Sequence, residues 1–323
     1  MFVTITFRSN GYIGSCLFNF LIKKNFQVLG IDKNINNSFV NGKQVKCNIL
    51  NYAKTKNIIK NYRPDTIIHL AGESTLDNIK EVNKYKKNNI EVTVNIAKIC
   101  KYLVIKKLIF SSTAAVYKES KKPIVESFIK KPNNIYGKTK LIAENKLIKI
   151  LRKTETKFII FRFFNVCSSL GNVGENHSPE THLVPLITQK FYERKKILIY
   201  GNNFKTKDKT CIRDYIHIKD VCNAFLKAIY FFKKGKKKFI IFNLGSNKGF
   251  SILELLNFFI NEIKFSYIKK RLGDNDKLIC DSVKARKILK WSPVNSTPKK
   301  IFNDEIKWHK YLVSKGIKRV TIY

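Results

Sequence analysis

The feature that most narrows the fold is a repeated alternation in the first half of the chain: short apolar runs, each followed by a helical one. Phe2–Phe7, Gln27–Asp32, Thr66–Ala71, Lys107–Ser112 and Lys157–Phe163 are rich in β-branched and aromatic residues, with Gln44–Asn48 as a shorter companion. They read as strands buried on both faces. Between them, Tyr12–Lys24, Tyr52–Tyr62, Asn83–Leu103 and Gly137–Leu151 have helical character; in the third, Ile90, Val94, Ala97 and Ile99 recur at helical spacing. Strands of this kind alternating with helices imply a parallel sheet covered on both sides. Ligands of such sheets bind beyond the carboxyl ends of the strands.

The expected class is therefore α/β: a Rossmann-type doubly wound parallel sheet with a smaller α/β substrate-binding lobe, since the alternation loosens after Asn165. The division expected is residues 1–165 with about 211–245 for a nucleotide-binding domain, and about 166–210 with 246–323 for the lobe. At 323 residues the chain can bury a substantial core, and 44% hydrophobic content excludes a disordered protein.

Charge invites a different class. Sixty-three Lys and Arg against 23 Asp and Glu give a net +40, which attracts polyanions at low salt. The lysines, however, are spread through every segment and accompany abundant Asn and Ile, whose codons are also A/T-rich. No aromatic stacking platform or reading helix stands out, so no specific nucleic-acid partner is expected. Seven cysteines form no Cys-x-x-Cys pair and read as buried free thiols of a reducing compartment. The five histidines show no metal-ligand spacing, so no metal is expected. The first 24 residues, broken by Arg8, Ser9, Asn10 and Asn19, do not make a signal peptide, and nothing approaches a transmembrane span. A soluble cytoplasmic protein with no membrane partner is the expectation.

Two constellations carry chemistry. Gly11-Tyr12-Ile13-Gly14 lies between the first strand and first helix, where a helix N-terminus and a close-approach glycine receive a pyrophosphate. Asp32 ends the second strand eighteen residues after Gly14. A carboxylate there accepts both ribose hydroxyls and repels a 2′-phosphate, which favours NAD over NADP, although Lys33 beside it weakens the argument. His69-Leu70-Ala71-Gly72 follows the fourth strand; its small Ala71 and Gly72 let a cofactor lie close, while His69 is expected to pack beneath the sheet edge. In the second constellation, Tyr136 and Lys140 are four apart and share one helix face. An ammonium there can draw the tyrosine's pKa from about 10 towards neutrality. Ser111-Ser112-Thr113, at a strand end, can deliver a hydroxyl to the same place.

These motifs together resemble the extended short-chain dehydrogenase/reductases. Four positions depart from that pattern, one of them Asn48, which stands where the family usually has Asp near the adenine and keeps part of its hydrogen bonding. Arg8 stands where the family's first turn glycine belongs, and Phe7 where its Thr does. Arg8 either strains the turn or places a guanidinium on the pyrophosphate. Lys118 follows Tyr117 where the family has Gly. The resemblance implies cofactor contacts from Asn48 and Ile49, Ala71 and Gly72, Ser111, Phe164, Tyr136 and Lys140. It also makes Thr113, with Ser112 able to compensate, the partner of the reacting sugar hydroxyl. Ala114-Ala115 occupies the place of the Asp-Glu pair with which related 4,6-dehydratases remove water, and alanine does no acid or base work.

The second half resembles the UDP-glucose 4-epimerases in particular. Arg162-Phe163-Phe164-Asn165, the run Gly174 to Pro185 containing Pro179-Glu180-Thr181-His182-Leu183, Thr206 to His217 containing Arg213-Asp214, and Phe242-Asn243-Leu244-Gly245 follow one another in that group's order up to about Lys310. This implies a UDP-sugar held by Asn165, His182, Leu183, Arg213, Arg271 and Asp274, with Lys269 and Lys270 offering neighbouring registers for Arg271. Leu278 takes the position that gates N-acetylated sugars, and Trp291-Ser292-Pro293 is a structural closing motif. The implied reaction interconverts UDP-galactose and UDP-glucose. Tyr136 as phenolate takes the 4-hydroxyl proton, C4 passes its hydride to NAD, and the 4-keto sugar turns over before the hydride returns. The resemblance also implies a homodimer paired through the helices near 83–103 and 137–151. The rival readings are another UDP-sugar epimerase of the superfamily and a binding protein that has lost tight NAD.

Overall fold

The computed structural model describes residues 3–35, 39–73, 82–234, 237–259, 263–271 and 274–320. Its first half runs β1 (Val3–Phe7), α1 (Tyr12–Ile22), β2 (Gln27–Asp32), β3 (Gln44–Lys46), α2 (Tyr52–Tyr62), β4 (Thr66–His69), α3 (Val82–Tyr85), a π-helical turn (Lys86–Glu91), α4 (Val92–Tyr102), β5 (Lys107–Thr113), α5 (Ile135–Leu151) and β6 (Lys157–Phe163). The second half adds β7 (Asn165–Cys167), α6 (Leu183–Tyr192), β8 (Ile197–Tyr200), β9 (Ile212–His217), α7 (Ile218–Lys234), β10 (Phe239–Leu244), β11 (Gly249–Ser251), α8 (Ile252–Leu256), β12 (Phe265–Ile268), β13 (Lys277–Leu278), α9 (Val283–Leu289) and α10 (Pro298–Ser314). The expected elements are present with ends moved by a few residues; Phe2 lies outside the described residues. The expected long helix is one run interrupted by the π turn.

Seven strands form one parallel sheet in the order β10-β6-β5-β4-β1-β2-β3. Chain order reverses at β1, which pairs with β2 on one side and β4 on the other, so a crevice opens beyond the carboxyl ends of β1 and β4. The strands are apolar throughout because both faces are covered. Along β6, Ile159, Phe161 and Phe163 enter the core shared with α1 and α7, while Phe158 and Ile160 enter the core under α2, α4 and α5. Each such fully buried side chain contributes about 1.5–3 kcal/mol.

The remaining strands make a four-stranded sheet, with β9 at its centre, and a β8–β12 pair. This lobe has its own core around Val184, Ile187, Ile199, Phe259 and Phe302. All seven cysteines are free and buried. Trp291 is buried and donates its indole N–H to the Asp220 carbonyl at 2.8 Å, a packing contact that ties the closing motif to α7.

Candidate active site

Two adjoining cavities lie over the carboxyl ends of the central strands. The larger, about 560 Å³, is lined by Gly11, Tyr12, Asp32, Asn48, Ile49, Ala71 and Gly72 among others. The smaller, about 260 Å³, is lined by Ile13, Gly14, Ser111, Thr113, Tyr136, Lys140, Phe164, Asn165 and His182 among others. Arg8, Gly11, Tyr12 and Gly72 face both. The residues expected at the nucleotide and the catalytic ends are therefore brought into one continuous cleft.

At the nucleotide end the turn is set by backbone. Arg8 takes φ +58°, the left-handed region, at a cost of about 1–2 kcal/mol for a side chain other than glycine. Its N–H donates to the Ile31 carbonyl at 2.9 Å, and its own carbonyl accepts from Gly11 N–H at 3.2 Å. A Cβ on Gly14 would stand 1.9 Å from that carbonyl oxygen, so only glycine fits there. Gly11 is the N-cap of α1 and offers no side-chain acceptor to the first-turn amides, which leaves them to a ligand. Asp32 is buried, and its two carboxylate oxygens accept from Asn10 N–H at 3.0 Å and Asn34 N–H at 3.2 Å. Asn48 Oδ1 accepts from Leu50 N–H at 3.0 Å, leaving the amide donors of its side chain for the cavity.

At the catalytic end β5 runs to Thr113, whose Oγ1 accepts from Ala115 N–H at 3.1 Å as the chain turns. Helix α5 begins under the cap of Asn134, whose Oδ1 accepts from Gly137 N–H at 2.7 Å. A Cβ on Gly137 would stand 2.2 Å from the Ala115 carbonyl oxygen. The glycine inside Tyr136-Gly137-Lys138 thus lets α5 press onto the turn, and Tyr136 and Thr113 face the same cavity. The expectation that Tyr136 is drawn down towards neutrality is corrected here. Burial raises its pKa, and the Thr113 hydroxyl and the Arg8 charge offset this only in part. Lys140 is the group strongly moved: burial pushes it down to about 7, against the opposing pull of Glu144.

Lys140 Nζ lies 4.3 Å from the centre of the Phe110 ring, and a Cβ on Gly72 would stand 3.5 Å from it. The buried Asn89, on the π turn, was invisible to sequence reasoning. Its Oδ1 accepts from Glu73 N–H at 2.7 Å and its amide donates to Thr139 Oγ1 at 2.9 Å, tying the Gly72 loop to α5. π turns recur at functional sites. His69 is buried beneath the sheet end with Nε2 3.0 Å from Thr93 Oγ1, as expected. Ser112 Oγ is buried with no partner.

The residues expected at UDP are only partly gathered. Asn165 and His182 face the smaller cavity; Leu183, Arg213, Arg271 and Asp274 line neither cavity. Leu183 opens α6 and packs on the lobe's core. Arg213 pairs with Asp274 at 3.4 Å and donates to the Asn275 carbonyl at 2.8 Å; Arg271 stacks 3.7 Å from the centre of the Tyr200 ring. Asp214 does not pair with its neighbour Arg213. It is buried and accepts from Ser246, Asn247 and Cys280, and burial raises it to about 6. Neither did spacing reveal that Glu175, His177, Glu180 and His182 meet, with one donor atom from each within 4.8 Å of the others, a grouping able to hold a metal ion. Each histidine Nδ1 already faces a carboxylate, at 2.8–3.1 Å, so the group also stands as a hydrogen-bonded network. Burial would raise Glu175, but His182 and His177 outweigh it and hold it low.

A profile of the NAD dependent epimerase/dehydratase family matches residues 9–245. A UDP-glucose 4-epimerase of Lacticaseibacillus casei is 37% identical over 81% of each chain, and one of Halalkalibacterium halodurans 34% identical over 93% of each. Among solved structures, a UDP-glucose 4-epimerase from Brucella ovis in complex with NAD is 29% identical, with a TM-score of 0.89 over 95% of this chain and 98% of that one.

Proposed function

The chain belongs to the NAD dependent epimerase/dehydratase family, and on that premise we propose that it acts as a UDP-glucose 4-epimerase, interconverting UDP-galactose and UDP-glucose with NAD. The residues present fit the dinucleotide. The uncapped N-terminus of α1 offers amides to a diphosphate, Gly14 and Gly72 line the cavities without a side chain, and Asp32 ends β2 beside the larger cavity. When bound, NAD supplies the two-electron acceptor that takes the hydrogen of C4 and returns it.

The chain's own residues do the rest. Thr113 orients the 4-hydroxyl, and the Tyr136 oxygen takes and later returns its proton. Because Lys140 is pushed down to about 7, a neutral amine is accessible near neutral pH. Transfer of the phenolic proton to it yields phenolate and ammonium with no change in net charge, a step that is uphill in the free protein because burial raises Tyr136 and lowers Lys140. The observation that carries the reading is that Thr113, Tyr136 and the buried Lys140 line one cavity, with Ala114-Ala115, unable to remove water, in the turn that follows Thr113. Asn165 and His182 hold the UDP-sugar from the cavity wall. Leu183, Arg271 and Asp274 belong to the lobe that closes on the diphosphate while the 4-keto sugar turns, with Arg213 paired to Asp274; residues 1–165 with about 211–245 hold the cofactor.

The reading extends to a homodimer through α4 and α5, which pack together and leave Tyr102 and Ile142 exposed. It also extends to a cytoplasmic setting, in keeping with seven buried free thiols. Among the described residues no helix is long and apolar enough to cross a membrane. Incubation with UDP-galactose deuterated at C4 tests the mechanism. The label stays at C4 of the UDP-glucose formed; replacement by solvent hydrogen contradicts it.

A further inference from the structure

Arg8 is the departure from the family pattern that the reaction scheme leaves unused. Its backbone takes the left-handed conformation usually left to glycine, and the residue is half-buried. Its side chain lies back across the turn: Cγ and Nε would each be 3.0 Å, and Cδ 3.2 Å, from a Cβ placed on Gly11. Arg8 also faces both cavities, the larger with Asp32 and the smaller with Tyr136 and Lys140. Arg8 therefore lines both cavities with its side chain beside Gly11, the N-cap of α1. Among the described residues no carboxylate forms an ion pair with it. Its charge is felt inside the catalytic end, where it favours the phenolate of Tyr136 and opposes the ammonium of Lys140.

We infer that Arg8 is a diphosphate-binding residue, its guanidinium pairing with the pyrophosphate that links the two halves of the dinucleotide. The inference rests on the cofactor reading above and adds to it. In a turn of this kind helix amides and close glycine backbone meet the pyrophosphate; here a forked cation, suited to bidentate phosphate contact, is added on top. With its left-handed backbone, Arg8 lays its side chain across Gly11, and both residues line the two cavities.

Binding by the purified protein, freed of nucleotide, tests this without turnover. Arg8→Gly keeps the left-handed turn at no steric cost, so its fold is retained and a melting curve confirms it. ADP-ribose, adenosine and UDP are titrated against both proteins at about 50 mM and about 500 mM salt, where screening differs. Expected is a loss of about tenfold or more in ADP-ribose affinity with Arg8→Gly, a weaker salt dependence, and no change for adenosine or UDP. Arg8→Lys keeps the salt dependence and part of the affinity, since it retains charge but not the fork. Equal or tighter ADP-ribose binding by Arg8→Gly overturns the inference, because the side chain would then obstruct the channel. A loss confined to UDP overturns it too, moving Arg8 to the sugar nucleotide. If the wild type carries NAD and epimerises UDP-galactose while Arg8→Gly binds ADP-ribose equally, only the Arg8 assignment falls. If neither protein binds ADP-ribose, the cofactor reading falls with it.

Discussion

At the catalytic end of the cleft, Tyr136 and Lys140 ride on a helix locked to the sheet from beneath. Arg162 donates to both oxygens of Glu144, at 3.0 and 2.6 Å, and to the Tyr117 hydroxyl at 2.7 Å, all within the core. At the nucleotide end the β1–α1 turn is held by backbone hydrogen bonds and by the space of missing Cβ atoms. The difference explains where the chain has drifted. A site built from side chains keeps its side chains. A site built from backbone accepts Phe7 and Arg8 so long as the turn closes and Gly14 stays.

Substitutions can break either end separately. Tyr136→Phe removes the group proposed to move the proton, and turnover should fall by about 10²–10⁴ with the melting temperature unchanged. A variant with near wild-type turnover would leave the catalytic end without its base. Glu144→Ala strands a buried guanidinium and should cost about 3–5 kcal/mol in a denaturant titration; a loss below about 1 kcal/mol would show that the lock under α5 is not what holds it. Gly14→Ala puts a methyl into the Arg8 carbonyl and should cost about 1–3 kcal/mol, together with most of the dinucleotide affinity. Unchanged binding and stability would mean that the turn yields. A further test is the pH dependence of stability. Lys140 is held near 7 in the folded protein, below its ordinary value of 10.5. The unfolded chain therefore binds the extra proton between those limits, and stability rises with pH across that window. Lys140→Met should flatten this rise and be relatively more stable below about pH 7; an unaltered slope assigns it to other groups.

The sheet was legible because burial on both faces writes continuous apolar strands, and the catalytic pair because i, i+4 spacing fixes a shared helix face. What sequence did not show depends on how distant segments meet. Asn89 has no periodic signature, yet it joins the Gly72 loop to α5. Arg213 and Asp214 are adjacent, but neighbours in a strand point to opposite faces, so one pairs with Asp274 and the other is buried under Ser246. The direction of the Tyr136 shift turned on desolvation, which spacing cannot report. Glu175, His177, Glu180 and His182 meet only through the loop before α6.

The central claim is that one cleft joins a working catalytic pair to a dinucleotide site whose first glycine is Arg8. It is tested most directly by releasing and quantifying bound NAD from the purified protein while assaying UDP-galactose conversion in the same sample. The account predicts NAD, retained or restored by addition, at about one per chain, together with conversion to UDP-glucose that Tyr136→Phe abolishes. Protein that takes up no NAD and converts no UDP-galactose when the cofactor is supplied would contradict it.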